Sequence, residues 1–370
     1  MAGTEERKYE RVASYIRTYV DQKKFTHHAR IPSEHFLCAK FSVSRDTVRT
    51  AIRMLVEEGL LYTVKGSGTF FNTAAALSKS PPPAGEKLRI GFIAQGQDLN
   101  ASANVVNGIR SALDKGGAEL KIFLTDNKIA NERKCLEACS IGFHGLIIDG
   151  VKASILNPNV NYYSRLYEKG LRMIFFNNYY LGTPFPKVIL DDAACADELI
   201  RRLVEKGHTH IAGIFVYDNY QGIEKYKGCV QAILKYGAKF DDKYVKWCIS
   251  DETYDKAYPR TIMKFIKGLP KATAIVCCNY MILQMVQQLF KENSLSIPRD
   301  YSVVCFDYSS TDWAESSITA SIHPGFDMGY EVGARILDLV RDPDYLTKDY
   351  SYVFKPHVFD GGSIREVEVL

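Results

Sequence analysis

Residues 31–71 read IPSEHFLCAKFSVSRDTVRTAIRMLVEEGLLYTVKGSGTFF, and the order of signals in this stretch decides the fold of the first part of the chain. Pro32, Ser33 and Glu34 mark a helix start. The serine hydroxyl can accept from first-turn amides, and an acid there favours the positive helix terminus. The spacing predicts a short helix over Pro32–Lys40, a turn, and a further helix opening at Ser44 as its cap. On that helix Val48, Ile52, Leu55 and Val56 recur at the three- and four-residue intervals of a buried stripe. Gly59 ends it. LLYTV and GTFF then flank Lys65-Gly66-Ser67-Gly68 and predict a hairpin whose glycines permit the tight turn. Upstream, Tyr9, Val12, Ile16, Tyr19 and Val20 predict one more helix. Residues 1–73 therefore read as a small α+β domain of three helices and a hairpin.

Charge points to its partner. Residues 1–72 hold 12 Lys/Arg against 8 Asp/Glu, whereas the rest of the chain holds 35 of each, so the whole net charge of +4 lies in this domain. A polyanion would dock there. Residues 74–87, AAALSKSPPPAGEK, place three prolines among small residues and read as an extended linker. From residue 88 to 370 short apolar runs (RIGFIA, LKIFLT, GLIIDG, RMIFFN, KVILD, HIAGIFV, AIVCC, YSVVCFD) alternate with amphipathic stretches at Val105–Lys115, Ala194–Lys206, Lys225–Tyr236 and Met281–Asn293. That alternation predicts parallel sheets wrapped by helices, and the length favours two sheets and two lobes. No repeat of fixed period is visible. The nine cysteines form no CxxC pair and read as reduced, buried thiols. The charged start MAGTEERKYE carries no secretory signal, and no apolar run reaches the ~18–20 residues of a membrane span, so a cytoplasmic location is expected.

The stretch 31–71 resembles the winged helix-turn-helix of the gluconate-repressor (GntR) family in its PSE helix start, SR-x-TVR, EGLL exit and G-x-GTF wing. The resemblance implies that Ser44, Arg45, Thr47 and Arg49 open a recognition helix in the major groove, where arginine can contact guanine bidentately. It also implies that Ser33, Glu34 and His35 lie at the DNA, with Lys65, Gly66 and Gly68 as the wing. His35 stands where relatives have Arg, and Ser42 where the turn has Gly, a position that asks for positive φ. From residue 87 on, RIGFIA, GFHGLIIDG, VILDD…GHTHIAGIF, AIVCCN, IPRDYSVVCFDYS and TASIHP resemble, in order, the effector domain of the lactose-repressor (LacI) family. This is a two-lobed periplasmic-binding-protein-like type I fold. The joined arrangement resembles the arabinose-repressor (AraR) family, as do NPNVNYYSRLYEKG and DNYQGIEKYKG.

The resemblance nominates Asn177, Lys225, Asn279 and Asp307 as effector-binding, and, by loop position, Asp98, Tyr254 and His323. For Asn177 and Lys225 a surface or turn role stands beside ligand contact. For Asp307, after the apolar run VVCF, the pocket is favoured over a loop-ordering role. The expected partners are pseudo-palindromic double-stranded operator DNA, a small sugar such as L-arabinose, and a second copy of the chain in a homodimer. No cofactor or metal is called for. The glycines around Ser67 lie in a hairpin rather than before a helix, and neither a Walker A sequence nor a GxSxG elbow occurs, so no enzyme is expected. His208 and His210 open a strand without further ligands and read as structural. An effector domain that is catalytic, or that binds a metabolite other than a sugar, is the alternative.

Overall fold

A computed structural model describes residues 8–23, 31–57, 61–64, 68–71, 87–96, 103–140, 142–168, 170–251, 258–309 and 317–368. The predicted linker, apart from Lys87, lies outside them, as do the side chains of Tyr19 and Val20. Backbone proximity divides the chain into two compact units. One is Met1–Glu86 with Val160–Arg172 and Val340–Lys348; the other is Lys87–Asn159, Met173–Leu339 and Asp349–Leu370.

In the first unit, α1 (Lys8–Lys23), α2 (Glu34–Phe41) and α3 (Arg45–Glu57) precede the hairpin β1 (Leu61–Val64) and β2 (Gly68–Phe71). The hairpin is antiparallel, pairing Leu61 with Phe71 and Val64 with Gly68, whose φ of 128° only glycine adopts without strain. Val12, Ile16, Leu37, Val48, Leu55 and Leu61 form a buried core drawn from the reading domain alone. Val56, expected on the buried face, is exposed; Ala51 lies inside in its place. Ser42 adopts φ 51° and ψ 47°, the left-handed conformation expected of the turn. A non-glycine residue there costs about 1–2 kcal/mol.

The second unit carries two six-stranded sheets. The first has the order β13-β7-β6-β5-β3-β4 and the second β14-β12-β11-β10-β8-β9. The strands are β3 (Leu88–Ala94), β4 (Ala118–Leu124), β5 (Gly145–Ile148), β6 (Arg172–Phe176), β7 (Lys187–Leu190), β8 (Ile211–Val216), β9 (Val245–Cys248), β10 (Ala274–Cys277), β11 (Ser302–Ser309), β12 (Thr319–His323), β13 (Tyr352–Phe354) and β14 (Val358–Phe359). Every apolar run named from the sequence is one of them. The remaining helices are α4 (Ala103–Lys115), α5 (Ile129–Ala138), α6 (Val160–Glu168), α7 (Asp192–Glu205), α8 (Tyr220–Lys235), α9 (Tyr258–Lys267), α10 (Tyr280–Glu292) and α11 (Gly325–Arg341), of which α6 is grouped with the first unit. Helix α8 begins at Tyr220 rather than at Lys225, because Asn219 Oδ1 accepts from the Gly222 amide at 2.7 Å and caps it there.

Each sheet takes its first five strands in the same spatial order, second-first-third-fourth-fifth, and closes with a strand from the end of the chain. The two lobes thus repeat one topology with no shared sequence period. The pairing is parallel wherever register is defined, except between β12 and β14. The chain crosses between lobes three times. After β7 it enters α7, which packs on β11, β12 and β14. After β12 it enters α11, whose Gly329 lies against Val105 of α4. It then passes from β13 to β14. Both sheets therefore present their carboxyl ends to one cleft, the place where open parallel sheets bind ligands.

Candidate functional site

The candidate DNA-facing surface is built by α2 and α3. Ser33 caps α2, accepting from the Phe36 amide at 3.2 Å, and Ser44 caps α3, accepting from the Thr47 amide at 3.3 Å. The Ser44 and Thr47 hydroxyls lie 2.9 Å apart. His35, Arg45 and Arg49 are exposed. Arg49 Nε donates to Glu34 Oε2 at 3.2 Å, so the α2 acid holds the α3 arginine. Arg53, which the sequence reading did not single out, is also exposed and continues the spacing of Arg45 and Arg49 by one more turn. The repeat R-x-x-x-R-x-x-x-R opposite the buried stripe was its signal. Lys65 and Gly66 lie outside the described residues.

In the cleft, Asn177, Lys225, Asp307 and His323 come together, although they arise from β6, α8, β11 and β12. Lys225 is 2% exposed and donates to Asp307 Oδ2; its Nζ lies 3.8 Å from Asp192 Oδ1. It is neither at the surface nor in a turn. Gly228 makes this possible: a Cβ there would meet Ala193 Cα and Ala196 Cβ at 2.8 Å, so glycine lets α8 press onto α7. Burial works against the Lys225 ammonium, but Asp307 and then Asp192 outweigh it and hold its pKa above the usual lysine value. The Asp192 carboxyl is pushed up by burial, only partly offset by Lys225. Lys225 thus pairs with Asp307 while the Asp192 carboxyl stands beside them. Asp192 Oδ1 and Asp307 Oδ1 are buried and accept no hydrogen bond.

Asn177 and Asp307 both adopt φ of 56°, Asp307 within a break of the β11–β12 register. His323 Nε2 lies 3.4 Å from Asn177 Oδ1, and burial lowers the His323 pKa. Asn279 does something else first: its Oδ1 accepts from the Ile282 amide at 3.0 Å and caps α10. Asp98 and Tyr254 lie outside the described residues.

An open cavity of about 190 Å³ is lined by Asn177, Tyr179, Asp191, Asp192, Tyr220, Gln221 and Glu224, among others, so both lobes contribute. Asn178, missed by the sequence reading, bonds to the backbone of two of them. Its Oδ1 accepts from the amides of Tyr220 at 3.1 Å and Gln221 at 3.3 Å, and its Nδ2 donates to Asp149 at 3.0 Å. Asp149, after β5, is pushed up to about 7 by burial, against the hydrogen bonds from Asn178. Further bridges close the rim: Lys152 Nζ reaches Asp251 at 2.9 Å and Asp218 at 3.4 Å, and Ser154 donates to the Tyr217 carbonyl. The doubled Asp in VILDD, at a strand end, was the available signal for Asp192.

The remaining polar clusters are structural. His208 is buried, with Nδ1 2.7 Å from Thr273 Oγ1 and Nε2 3.1 Å from the Arg365 carbonyl, as its reading from sequence had it. Among the described residues no three His, Cys, Asp or Glu are placed to hold a metal ion, and no helix is long and apolar enough to cross a membrane.

Residues 8–71 match the family of bacterial regulatory proteins named gntR, and residues 200–364 match the periplasmic binding protein-like domain. Over the full chain, an arabinose metabolism transcriptional repressor of Halalkalibacterium halodurans is 29% identical over 338 residues, 91% of this chain and 90% of that protein. The repressor of the same description from Geobacillus stearothermophilus is 27% identical over 365 residues, 97% of this chain and 98% of its own length. Among solved structures, the transcriptional regulator CelR–cellobiose complex superposes with a TM-score of 0.64 at 18% identity, covering 90% of this chain and all of that one. Transcription regulator CcpA of Lactococcus lactis gives the same TM-score and identity over 76% of this chain. The helix-turn-helix, the two-lobed α/β fold and these likenesses converge: the chain is a DNA-binding transcriptional regulator that joins a gntR-type winged helix-turn-helix to a periplasmic-binding-protein-like effector domain.

Proposed function

We propose that the chain is a homodimeric repressor of carbohydrate-utilisation genes, released from its operator by a small sugar, L-arabinose or a relative of it. Two readers would occupy half-sites ~34 Å apart, with Arg45, Arg49 and Arg53 facing bases and phosphates, supported by Ser33, Glu34, His35, Ser44 and Thr47. Lys65, Gly66 and Gly68 would supply the wing contact. One observation carries the sugar reading: a cavity at strand ends lined by the polar residues Asn177, Asp192, Gln221 and Glu224 together with Tyr179 and Tyr220. Its volume of about 190 Å³ exceeds the roughly 150 Å³ that holds a benzene ring, so a hydroxylated six-membered ring is a matching occupant. Asn177, Asp192, His323 and Asp307 would pair with its hydroxyls, and Tyr179 and Tyr220, rings 4.3 Å apart, offer apolar faces. The names of the two arabinose repressors support the choice of sugar.

Sugar bound between the lobes would favour the bridged arrangement of Lys152, Ser154 and Asn178 and alter the spacing of the two readers. Such coupling is typically about 1–3 kcal/mol, a roughly 5–150-fold loss of operator affinity. The test pairs a melting-temperature screen of L-arabinose and other neutral monosaccharides with gel shifts on the DNA upstream of the chain's own gene. The expected result is a sugar that raises the melting temperature and weakens the shifted band. A sugar that binds while leaving the DNA affinity unchanged overturns the release mechanism.

A further inference from the structure

Two loops of the first lobe, 149–159 after β5 and 177–180 after β6, reach the second lobe at one place. Ser154 donates to the Tyr217 carbonyl, and Lys152 Nζ donates to Asp218 Oδ2 at 3.4 Å. Asn178 Oδ1 accepts from the Tyr220 and Gln221 amides at 3.1 and 3.3 Å. Residues 217–221 join β8 to α8, so three side chains grip one turn. Asp218 is oriented for this contact. Its Oδ1 accepts from the Ser250 amide at 2.9 Å and the Ser250 hydroxyl at 2.8 Å, which leaves Oδ2 to Lys152. Lys152 Nζ also donates to Asp251 at 2.9 Å. Burial works against the Lys152 charge, but Asp251 and Asp218 outweigh it and hold its pKa above the usual lysine value.

One buried carboxyl ties the two loops into a single body. Glu132 of α5 has no exposed surface. It accepts from the Tyr180 hydroxyl at 2.6 Å, Asn157 Nδ2 at 2.9 Å, Asn159 Nδ2 at 2.8 Å and the Val151 amide at 3.4 Å. Tyr180 belongs to one loop; Val151, Asn157 and Asn159 belong to the other. Four donors satisfy a group whose burial would otherwise be costly. The Gly150 amide, donating to the Asn178 carbonyl at 2.9 Å, joins the loops again. Lys152 itself sits at φ 45°, a left-handed conformation that persists only where its surroundings enforce it. Here they do: its amide donates to Asn127 Oδ1 at 3.4 Å, and Glu132 fixes the residue before it.

We infer that these loops form a clasp that sets the resting balance between joined and parted lobes, with Lys152 as its pin and Glu132 as the residue that positions the pin. Every contact of the clasp runs from the chain to itself and asks nothing of a ligand. The pin is shared by two acids of different exposure. The Asp218 side chain is 3% exposed and keeps its pull in salt, whereas that of Asp251 is 48% exposed and is screened. The stronger the clasp, the smaller the parted population that any ligand of the cleft is left to shift.

The test measures the distance between the lobes in the full chain, with no sugar added, by electron–electron double resonance. Spin labels at Lys128→Cys and Gln284→Cys, both exposed positions, mark the two lobes. Cys38→Ser removes the one cysteine that is not buried. Labelled chains are diluted in unlabelled chain, so that the signal comes from within one chain. The parent should show one dominant distance at low salt. Lys152→Ala should lower the ratio of joined to parted lobes roughly tenfold, as befits a charge losing two opposite partners at short range. Asp251→Asn, a surface change that leaves the fold intact, should lower it about two- to fivefold. Raising the salt to about 1 M should part the lobes of the parent and leave Lys152→Ala unchanged. Glu132→Gln should part them as much as Lys152→Ala, and the two together should do little more, because one acts through the other. A single distance distribution shared by the parent, Lys152→Ala and Asp251→Asn overturns the clasp. Effects of Glu132→Gln and Lys152→Ala that simply add overturn the positioning role of Glu132.

Discussion

Arg49 of the reader and Lys225 of the cleft are both cations held by a carboxylate, and they are held for opposite ends. The Arg49–Glu34 pair has side chains 58% and 41% exposed, whereas the Lys225–Asp307 pair has 2% and 19%. An exposed pair is worth about 0–1 kcal/mol, so phosphate or guanine can take Arg49 from Glu34 at little cost. A buried pair cannot exchange partners in this way. The reader's pair is open to a competing partner, whereas the buried charges of the effector domain tie together three elements, α7, α8 and β11. Burial, rather than residue type, decides which cations are free to recognise anything.

The most severe way to break that contrast is Asp307→Ala. It leaves Lys225 buried without its partner, and the effector domain should lose about 3–5 kcal/mol of stability along with its response to effector. Urea unfolding of the full chain followed by tryptophan fluorescence, which Trp247 and Trp313 confine to the effector domain, measures this, and Asp307→Asn should lose less. Parent-like stability in Asp307→Ala would mean that the pair is not structural. The matching change in the reader, Arg49→Ala, should alter stability by less than about 1 kcal/mol. Operator affinity should nonetheless fall by about 1–3 kcal/mol, read by gel shift at fixed salt. Equal operator affinity in Arg49→Ala and the parent would remove this arginine from the reading surface.

His208 sharpens the point with pH. Burial depresses its folded pKa to about 4 from 6.5, and its ring already donates to Arg365 and accepts from Thr273, so the neutral form is the satisfied one. A depressed folded pKa leaves stability intact above the unfolded value and removes it as pH falls from 6.5 toward 4. Between pH 7 and 5 the parent should therefore lose about 1–2 kcal/mol more than His208→Gln, measured by urea unfolding at both pH values. Identical losses in the two proteins would assign the acid sensitivity to other groups.

The reader was legible in the sequence because its signals are local: Ser33, Ser44 and Gly68 act within a few residues of themselves. The strands of the lobes were legible from their apolar runs. The site was legible only in part. Asn177, Asp307 and His323 stand at strand ends and could be named, but Lys225 meets Asp307 across 82 residues and His323 meets Asn177 across 146. No local pattern reports that Lys225 is buried, since the reason lies in Gly228 and Ala193 on two facing helices. Asn279 shows the converse: the same amide that suits a sugar also caps a helix, and the sequence does not separate the two duties. Strands β13 and β14, of three and two residues, are too short for any alternation to register.

Those two short strands also set an order in time. The reader's described core residues and its hairpin all lie before residue 72, so it can fold while most of the chain is still to come. Neither lobe has that freedom. The sheet of one waits for Tyr352–Phe354 to cover β7, and the sheet of the other waits for Val358–Phe359 to cover β12. Until then β7 and β12 are themselves edge strands, with unpaired backbone groups that can pair with another chain. DNA recognition is thus ready early in synthesis, and control over it arrives only with the last strands.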